Sequence, residues 1–186
     1  MMKRMVYISL ALFIMGVIAN AIYQQTHKQS PNLSILPCQK EVVVYEKIYD
    51  ATLLKQAQKA VFEGSVLIAS SIKKSHYMPT RLFKYVDKKS VDLNFIEALQ
   101  NMGGNKAGSS KVKIDYYIYE NDKNDPGKKT PKSKLYAGYL YVTFFYEEKR
   151  CYVMQIDFMD DQGRDIPKRV ECALKTFLSA KSDASL

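Results

Sequence analysis

Residues 111–159, KVKIDYYIYENDKNDPGKKTPKSKLYAGYLYVTFFYEEKRCYVMQIDFM, decide the fold of this chain. Three runs rich in β-branched and aromatic residues, 111–120, 135–146 and 151–159, are separated by turn-forming residues. The two outer runs alternate between an apolar and a more polar side, whereas the middle run is apolar on both sides. We therefore predict a three-stranded antiparallel meander whose central strand is covered on both faces.

Helical patterns flank this meander on both sides. The predicted elements are, in order, a strand over 41–49, a helix over 51–73, a helix over 92–102, the meander, and a final helix with Pro167 in its first turn. Within 51–73 apolar residues recur at spacings of three and four, although residues 61–72 would also suit a strand. Gly103 and Gly104 end the second helix.

This order of elements predicts an α+β domain, in which helices pack on one face of a mostly antiparallel sheet of about four strands. NTF2-like and cystatin-like domains, whose helices cover a curved antiparallel sheet, are the nearest general architectures by analogy. The chain carries no motif that is typical of one family, so the analogy concerns architecture alone.

The N-terminus has the pattern of an export signal. Lys3 and Arg4 precede residues 5–23, which carry no charge and are mostly apolar. One interpretation is an uncleaved anchor, just long enough to span ~30 Å of hydrocarbon. The other is a secretory signal that is cut after Ala21, at the small residues of Ala19-Asn20-Ala21. The density of large apolar side chains favours the anchor.

The chain then divides into four parts. These are an anchor or uncleaved signal over 1–23, a polar linker over 24–37 with two prolines, an α+β domain over 38–180, and a tail over 181–186. The basic N-terminus would stay in the cytoplasm. We therefore predict a single-pass protein of the inner membrane with its C-terminal domain in the periplasm.

Composition limits the class of protein. The 186 residues are 47% hydrophobic and 25% charged, which is ordinary for one globular domain with a short appendage. These values exclude a disordered chain, a collagen-like fibre and a multi-pass membrane protein. Three cysteines exclude a dense disulfide framework.

An oxidising compartment would join two of the three cysteines. Cys151 lies at the far end of its strand from the start of the final helix, which disfavours a bond to Cys172. Cys38 leaves the linker and can reach either partner. We predict the disulfide Cys38–Cys172, with Cys151 free or bonded to a partner protein; the alternative is that all three cysteines stay reduced. Cys151 and Cys172 are both expected to point away from the core.

Catalytic chemistry has little support in this sequence. His76 is the one histidine after the linker and lies among loop-forming residues. No cysteine or histidine spacing suits zinc, and the calcium-loop pattern that begins at Asp122 fails at Pro126 and Ser133. We predict no catalytic residue, no metal, no cofactor and no enzymatic activity.

Two surfaces are candidates for a partner. Tyr117, Tyr119, Tyr139 and Tyr141 would share the sheet face opposite the helices. They would either cover a half-solvated sheet or bind a partner. The basic loop carries Lys123, Lys128, Lys129, Lys132 and Lys134. It would be either a solvated loop or a contact for anionic groups. Nucleic acid is a disfavoured partner at an exported position.

These observations predict a membrane-tethered periplasmic domain that binds other envelope proteins. It would be a non-catalytic subunit of a secretion, pilus or conjugation assembly, or the accessory partner of a membrane regulator. A homo-oligomer is a further option. The alternative is a periplasmic domain that binds a small ligand in a cavity between helices and sheet, lined by Phe144, Met154 and Phe158.

Overall fold

A five-stranded mixed sheet is the centre of the domain. The computed structural model describes residues 36–181. Its strands are β1 (Val44–Ile48), β2 (Val66–Lys73), β3 (Val112–Glu120), β4 (Gly138–Tyr146) and β5 (Lys149–Phe158). The order across the sheet is β1-β5-β4-β3-β2. The meander of β3, β4 and β5 is antiparallel, as predicted, and β1 pairs antiparallel with β5.

Three helices lie against one face of this sheet. They are α1 (Ala51–Ala60), α2 (Lys88–Asn101) and α3 (Ile166–Ser179). The Asp50 carboxylate begins α1 by accepting the backbone N–H groups of Thr52 and Leu53, each at 2.9 Å. Asp87 begins α2 in the same way by accepting the Ser90 N–H at 3.0 Å. The predicted α+β class is confirmed.

The predicted helix over 51–73 is wrong in its second half. The helix ends at Ala60 and β2 begins at Val66, parallel to β3. Gly64 lies between them where the chain turns, and a Cβ there would meet the Ser109 carbonyl oxygen at 2.3 Å. The β-branched residues that follow pair with β3 instead of continuing the helix. The sheet therefore has five strands rather than four, and one pair is parallel.

The core lies between the helices and the aliphatic face of the sheet. The aliphatic side chains on that face of β3, β4 and β5 are at most 1% exposed, among them Ile114, Ile118, Leu140, Val142 and Ile156. Phe144 on β4 stacks on Phe177 of α3 with 3.9 Å between ring centroids. The opposite face of the sheet carries none of the three helices.

Several predicted segments lie outside the described residues. These are the anchor or signal over 1–23, the linker as far as residue 35, and the tail after Lys181. Among residues 36–181, none of the helices has both the length and the apolar character that a membrane crossing requires.

Candidate partner interface

The sheet face opposite the helices gathers tyrosines from three strands. Strand pairing places Tyr45, Gln155, Tyr141, Tyr117 and Ser71 in one row that crosses all five strands. The neighbouring row contains Asp157, Tyr139, Tyr119 and Lys73. The four tyrosines of the predicted partner surface therefore come together on adjacent strands, β3 and β4.

Tyr117, Tyr119, Tyr139 and Tyr141 form a set of stacked rings that we call the tyrosine ladder. Tyr119 stacks on Tyr139 with 4.6 Å between ring centroids, and Tyr117 stacks on Tyr141 at 5.1 Å. Tyr117 and Tyr139 join the two stacks edge to face at 5.9 Å. All four side chains are half-buried. The rings are therefore ordered by one another and still reach solvent.

Cationic side chains lie over the aromatic rings of this face. Lys73 Nζ is 3.6 Å from the centroid of the Tyr117 ring, and Lys128 Nζ is 5.3 Å from that of Tyr119. At the β1 edge, Arg150 Cζ lies 3.8 Å from the centroid of the Tyr49 ring, and Lys47 Nζ lies 4.7 Å from it. The exposed tyrosine face is thus bordered by positive charge on both sides.

Burial keeps the hydroxyls of Tyr139 and Tyr141 protonated. Desolvation, with a hydrogen bond and repulsion from Tyr117, raises the pKa of Tyr139 far above its usual range. Desolvation also raises the pKa of Tyr141, and the nearby Tyr49 and Tyr117 add to the effect. At neutral pH these groups are therefore neutral phenols that can donate hydrogen bonds.

An acidic side chain that the sequence analysis did not single out is buried beside the ladder. Asp157 on β5 pairs with Tyr139 in the register and is only 4% exposed. Gln155 Nε2 donates to its Oδ1 at 3.1 Å. Desolvation raises the pKa of this carboxyl, and the Gln155 hydrogen bond offsets only part of that effect. The alternation of β5 indicates that Asp157 shares the tyrosine face, but burial depends on neighbouring strands.

The basic loop divides into two groups. Lys128 Nζ donates to Asn121 Oδ1, to the Asp122 carbonyl at 3.0 Å and to the Tyr119 hydroxyl at 3.1 Å. Lys123 forms an ion pair with Asp161 at 3.0 Å. These two lysines hold the loop to the domain. The exposed lysines of the loop are Lys129, Lys132 and Lys134, so the five charges do not form one surface.

Buried acids at the end of β3 fix the loop that follows β2. Glu120 is 2% exposed, and its carboxylate accepts the backbone N–H groups of Arg81 at 2.6 Å and Leu82 at 2.9 Å. Asp122 accepts those of His76 and Tyr77, each at 2.5 Å. His76 is an exposed residue of this loop, as predicted. No sequence pattern identified this network, because its donors are backbone groups about 40 residues away.

The structure joins Cys38 to Cys172, the pair that the sequence analysis favoured, with 5.9 Å between their Cα atoms. The expected exposure of the cysteines is wrong, because Cys172 is 1% and Cys151 is 0% exposed. The Cys151 thiol lies 3.2 Å from the Phe144 carbonyl oxygen, and Tyr49 and Asp50 donate to the Cys151 carbonyl. Burial raises the pKa of Cys151 to about 11. Cys151 is therefore a free, buried thiol in this fold.

The cavity that the alternative function would need between helices and sheet is filled by side chains. Phe144, Met154 and Phe158 are all 0% exposed and belong to the core. An apolar groove of about 660 Å³ lies elsewhere, beside the disulfide, and its lining includes Leu36, Cys38, Phe62, Met102 and Leu178. Among residues 36–181, no group of three or more histidine, cysteine or acidic side chains is arranged to hold a metal ion.

Comparison with known proteins gives one distant structural likeness. No family model and no curated protein matches the chain. A solved structure of a PelC dodecamer from Paraburkholderia phytofirmans, a variant with one leucine replaced by methionine, is similar with a TM-score of 0.39 and 8% sequence identity. The similarity covers 75% of this chain and 99% of that one.

Proposed function

We propose that the protein is a membrane-tethered periplasmic interaction domain. It would serve as a non-catalytic subunit of an envelope assembly of the secretion, pilus or conjugation type, or as the accessory partner of a membrane regulator. The observation that supports this proposal is the tyrosine ladder, a half-buried aromatic surface on a sheet face that none of α1, α2 and α3 covers. Such a face resembles the centre of a protein interface more than a solvated surface.

The ladder has the physical properties that favour association. A tyrosine ring offers a large contact area and loses little side-chain entropy on binding. The stacking of Tyr117 on Tyr141 and of Tyr119 on Tyr139 already restricts these rings in the free protein. Binding would therefore cost less ordering than it would for isolated side chains.

The proposed location depends on the N-terminal sequence and agrees with the disulfide. Lys3 and Arg4 before the apolar residues 5–23 are the basis for export and tethering. The Cys38–Cys172 bond suits an oxidising compartment such as the periplasm.

Replacement of ladder tyrosines tests the interaction. The full chain carrying Tyr119→Ser with Tyr141→Ser should recover at least tenfold less of its partners from detergent-solubilised membranes, quantified by mass spectrometry. Truncation of a tyrosine that is a hot spot of an interface costs about 2 kcal/mol or more. The matched control is Tyr77→Ser with Tyr85→Ser, which are 55% and 62% exposed and lie outside the ladder. Equal recovery by the two double variants would contradict the proposal.

The alternative function, binding of a small ligand, is supported by the apolar groove beside the disulfide. Its volume of about 660 Å³ lies within the range of ligand pockets. Native mass spectrometry of the full chain would show a bound molecule of constant mass. Phe62→Ser should release that molecule, because Phe62 lines the groove and is 37% exposed.

A further inference from the structure

We propose that the tyrosine ladder binds an acidic segment of a partner protein, with carboxylates that reach both sides of the ladder. This inference rests on the proposed function and specifies the chemistry of the partner. It follows from the hydrogen-bonding groups and charges that the face presents to solvent.

The accessible groups of this face are mainly hydrogen-bond donors. The hydroxyls of Tyr139 and Tyr141 stay protonated, because burial raises their pKa values. Lys73 on β2 and Lys47 on β1 are exposed, and both lie against tyrosine rings. A partner must supply acceptors to match these donors, and carboxylates accept with both oxygens.

Most acidic groups near this face are either buried or ion-paired. Asp157 is 4% exposed, and its Oδ1 already accepts a hydrogen bond from Gln155. Glu148 forms an ion pair with Lys113 at 3.4 Å. Asp115 remains as an exposed acid of β3. The charge that an approaching partner meets is therefore positive, and it favours a negative partner.

The spacing of the two lysines suggests how a segment would lie. Lys47 and Lys73 belong to the two edge strands, four strand intervals or about 19 Å apart across the sheet. The register places Ala69 in the row of Lys47, so Lys73 lies four residues, or about 13 Å, farther along the strands. An extended segment that runs diagonally over the strands covers the resulting distance of about 23 Å in about seven residues. Residues six or eight apart in an extended chain point to the same side, so two acids at such a spacing would reach both lysines. The residues between them would then rest on the ladder.

Other occupants fit this face less well. Two copies of the chain would bring Lys47 and Lys73 of each close to positive charges of the other, which disfavours association. A phosphate polymer is best matched by neighbouring cations, and here the rings separate the two lysines. A lipid surface is entered by protruding apolar side chains, whereas the ladder rings are half-buried.

Carbodiimide cross-linking in native membranes tests the polarity of the contact, because this reagent joins a lysine amine to a carboxylate in direct contact. With the full chain, we expect links from Lys47 or Lys73 to aspartate or glutamate residues of another protein. Links that instead join Asp115 to a lysine of the partner would overturn the proposal.

Charge reversal tests the same contact by affinity. The full chain with Lys47→Glu and Lys73→Glu should recover at least tenfold less of the cross-linked partner. The matched control is Lys55→Glu with Lys89→Glu, two exposed lysines on α1 and α2. Equal recovery by these double variants would overturn the inference. A second result would also overturn the inference. In it, no protein is cross-linked, and the chain binds polyphosphate or phosphatidylglycerol vesicles only when Lys47 and Lys73 are intact.

The two proposals fail in different ways. Suppose that the ladder variant, Tyr119→Ser with Tyr141→Ser, loses the complex and the Lys47 and Lys73 variant recovers it fully. The proposal of an interaction domain would then stand, and the proposal of an acidic partner segment would be overturned. Full recovery in both variants would contradict both proposals.

Discussion

The contribution of Asp157 to the stability of the fold depends on pH. Desolvation raises the pKa of its carboxyl, so the folded state prefers the protonated form. Its contribution to stability is therefore present at acidic pH and is lost as the pH rises through the raised pKa. Asp157→Asn should be more stable than the parent protein at pH 7, with a smaller difference at pH 4. Urea unfolding at the two pH values measures this, and an advantage that is larger at pH 4 would contradict it.

The residues of the candidate interface were predictable to different degrees. Alternation along β3 and β4 predicts that Tyr117, Tyr119, Tyr139 and Tyr141 share a face, since side chains of a strand point alternately to its two sides. The cations that border them were not predictable. Lys73 reaches Tyr117 only because β2 pairs with β3, and the sequence pattern of residues 51–73 predicts a helix. Lys128 was grouped with the basic loop, although three hydrogen bonds hold it to the fold.

At the scale of elements, Glu120 connects the end of β3 to the loop after β2. Burial alone would raise the pKa of its carboxyl, but hydrogen bonds from the backbone N–H groups of Arg81, Leu82 and Ser75 outweigh that effect and hold the pKa below its ordinary 4.5. Glu120→Gln replaces an acceptor oxygen by a donor and should cost about 2 kcal/mol at pH 7.

The pH dependence of the Glu120→Gln effect has the opposite sign to that of Asp157. A carboxyl with a lowered pKa stabilises the fold above its unfolded pKa, and this stability is lost as the pH falls through the folded value. The difference in unfolding free energy between Glu120→Gln and the parent should therefore shrink below about pH 4. A cost that is independent of pH from about 3 to 7 would show that the ionised form is not what holds the loop.

The elements differ in how far sequence determines them. The meander and the final helix were predicted because their patterns continue for nine or more residues in the structure. The segment from Val61 to Lys73 was not, because its apolar spacing suits both a helix and a strand. The segment becomes a strand because it pairs with β3 and because Gly64 packs closely against Ser109. Both are contacts between segments distant in sequence, which no local pattern contains.

For the whole molecule, the disulfide should be a main source of stability. Cys38 and Cys172 are 134 residues apart in the sequence, and the closure of so long a loop restricts the unfolded chain. Cys38→Ser with Cys172→Ser should lower the unfolding free energy by about 2–5 kcal/mol. Guanidinium unfolding in a Cys151→Ala background measures this without thiol exchange. An unchanged midpoint after reduction of the parent protein would contradict it.

The location of the whole molecule is a separate prediction. Lys3 and Arg4 followed by uncharged residues 5–23 predict export with retention at the inner membrane. Cell fractionation with N-terminal sequencing checks this. We expect the full chain in the membrane fraction. An N-terminus at Ile22 would instead show that the protein is exported but is not retained by an anchor. Recovery of the intact chain in the cytoplasm would contradict both.

The disulfide also determines how the domain responds to mechanical force. Cys38 lies two residues after Leu36, and Cys172 lies nine residues before Lys181. A pull applied between Leu36 and Lys181 would pass from Cys38 directly into α3 through the sulfur–sulfur bond. Residues 39–171, which contain the whole sheet, would lie outside the covalent path of this force. The edge strand β1 could not be peeled from β5 by such a pull, and the tyrosine ladder would keep its shape under load.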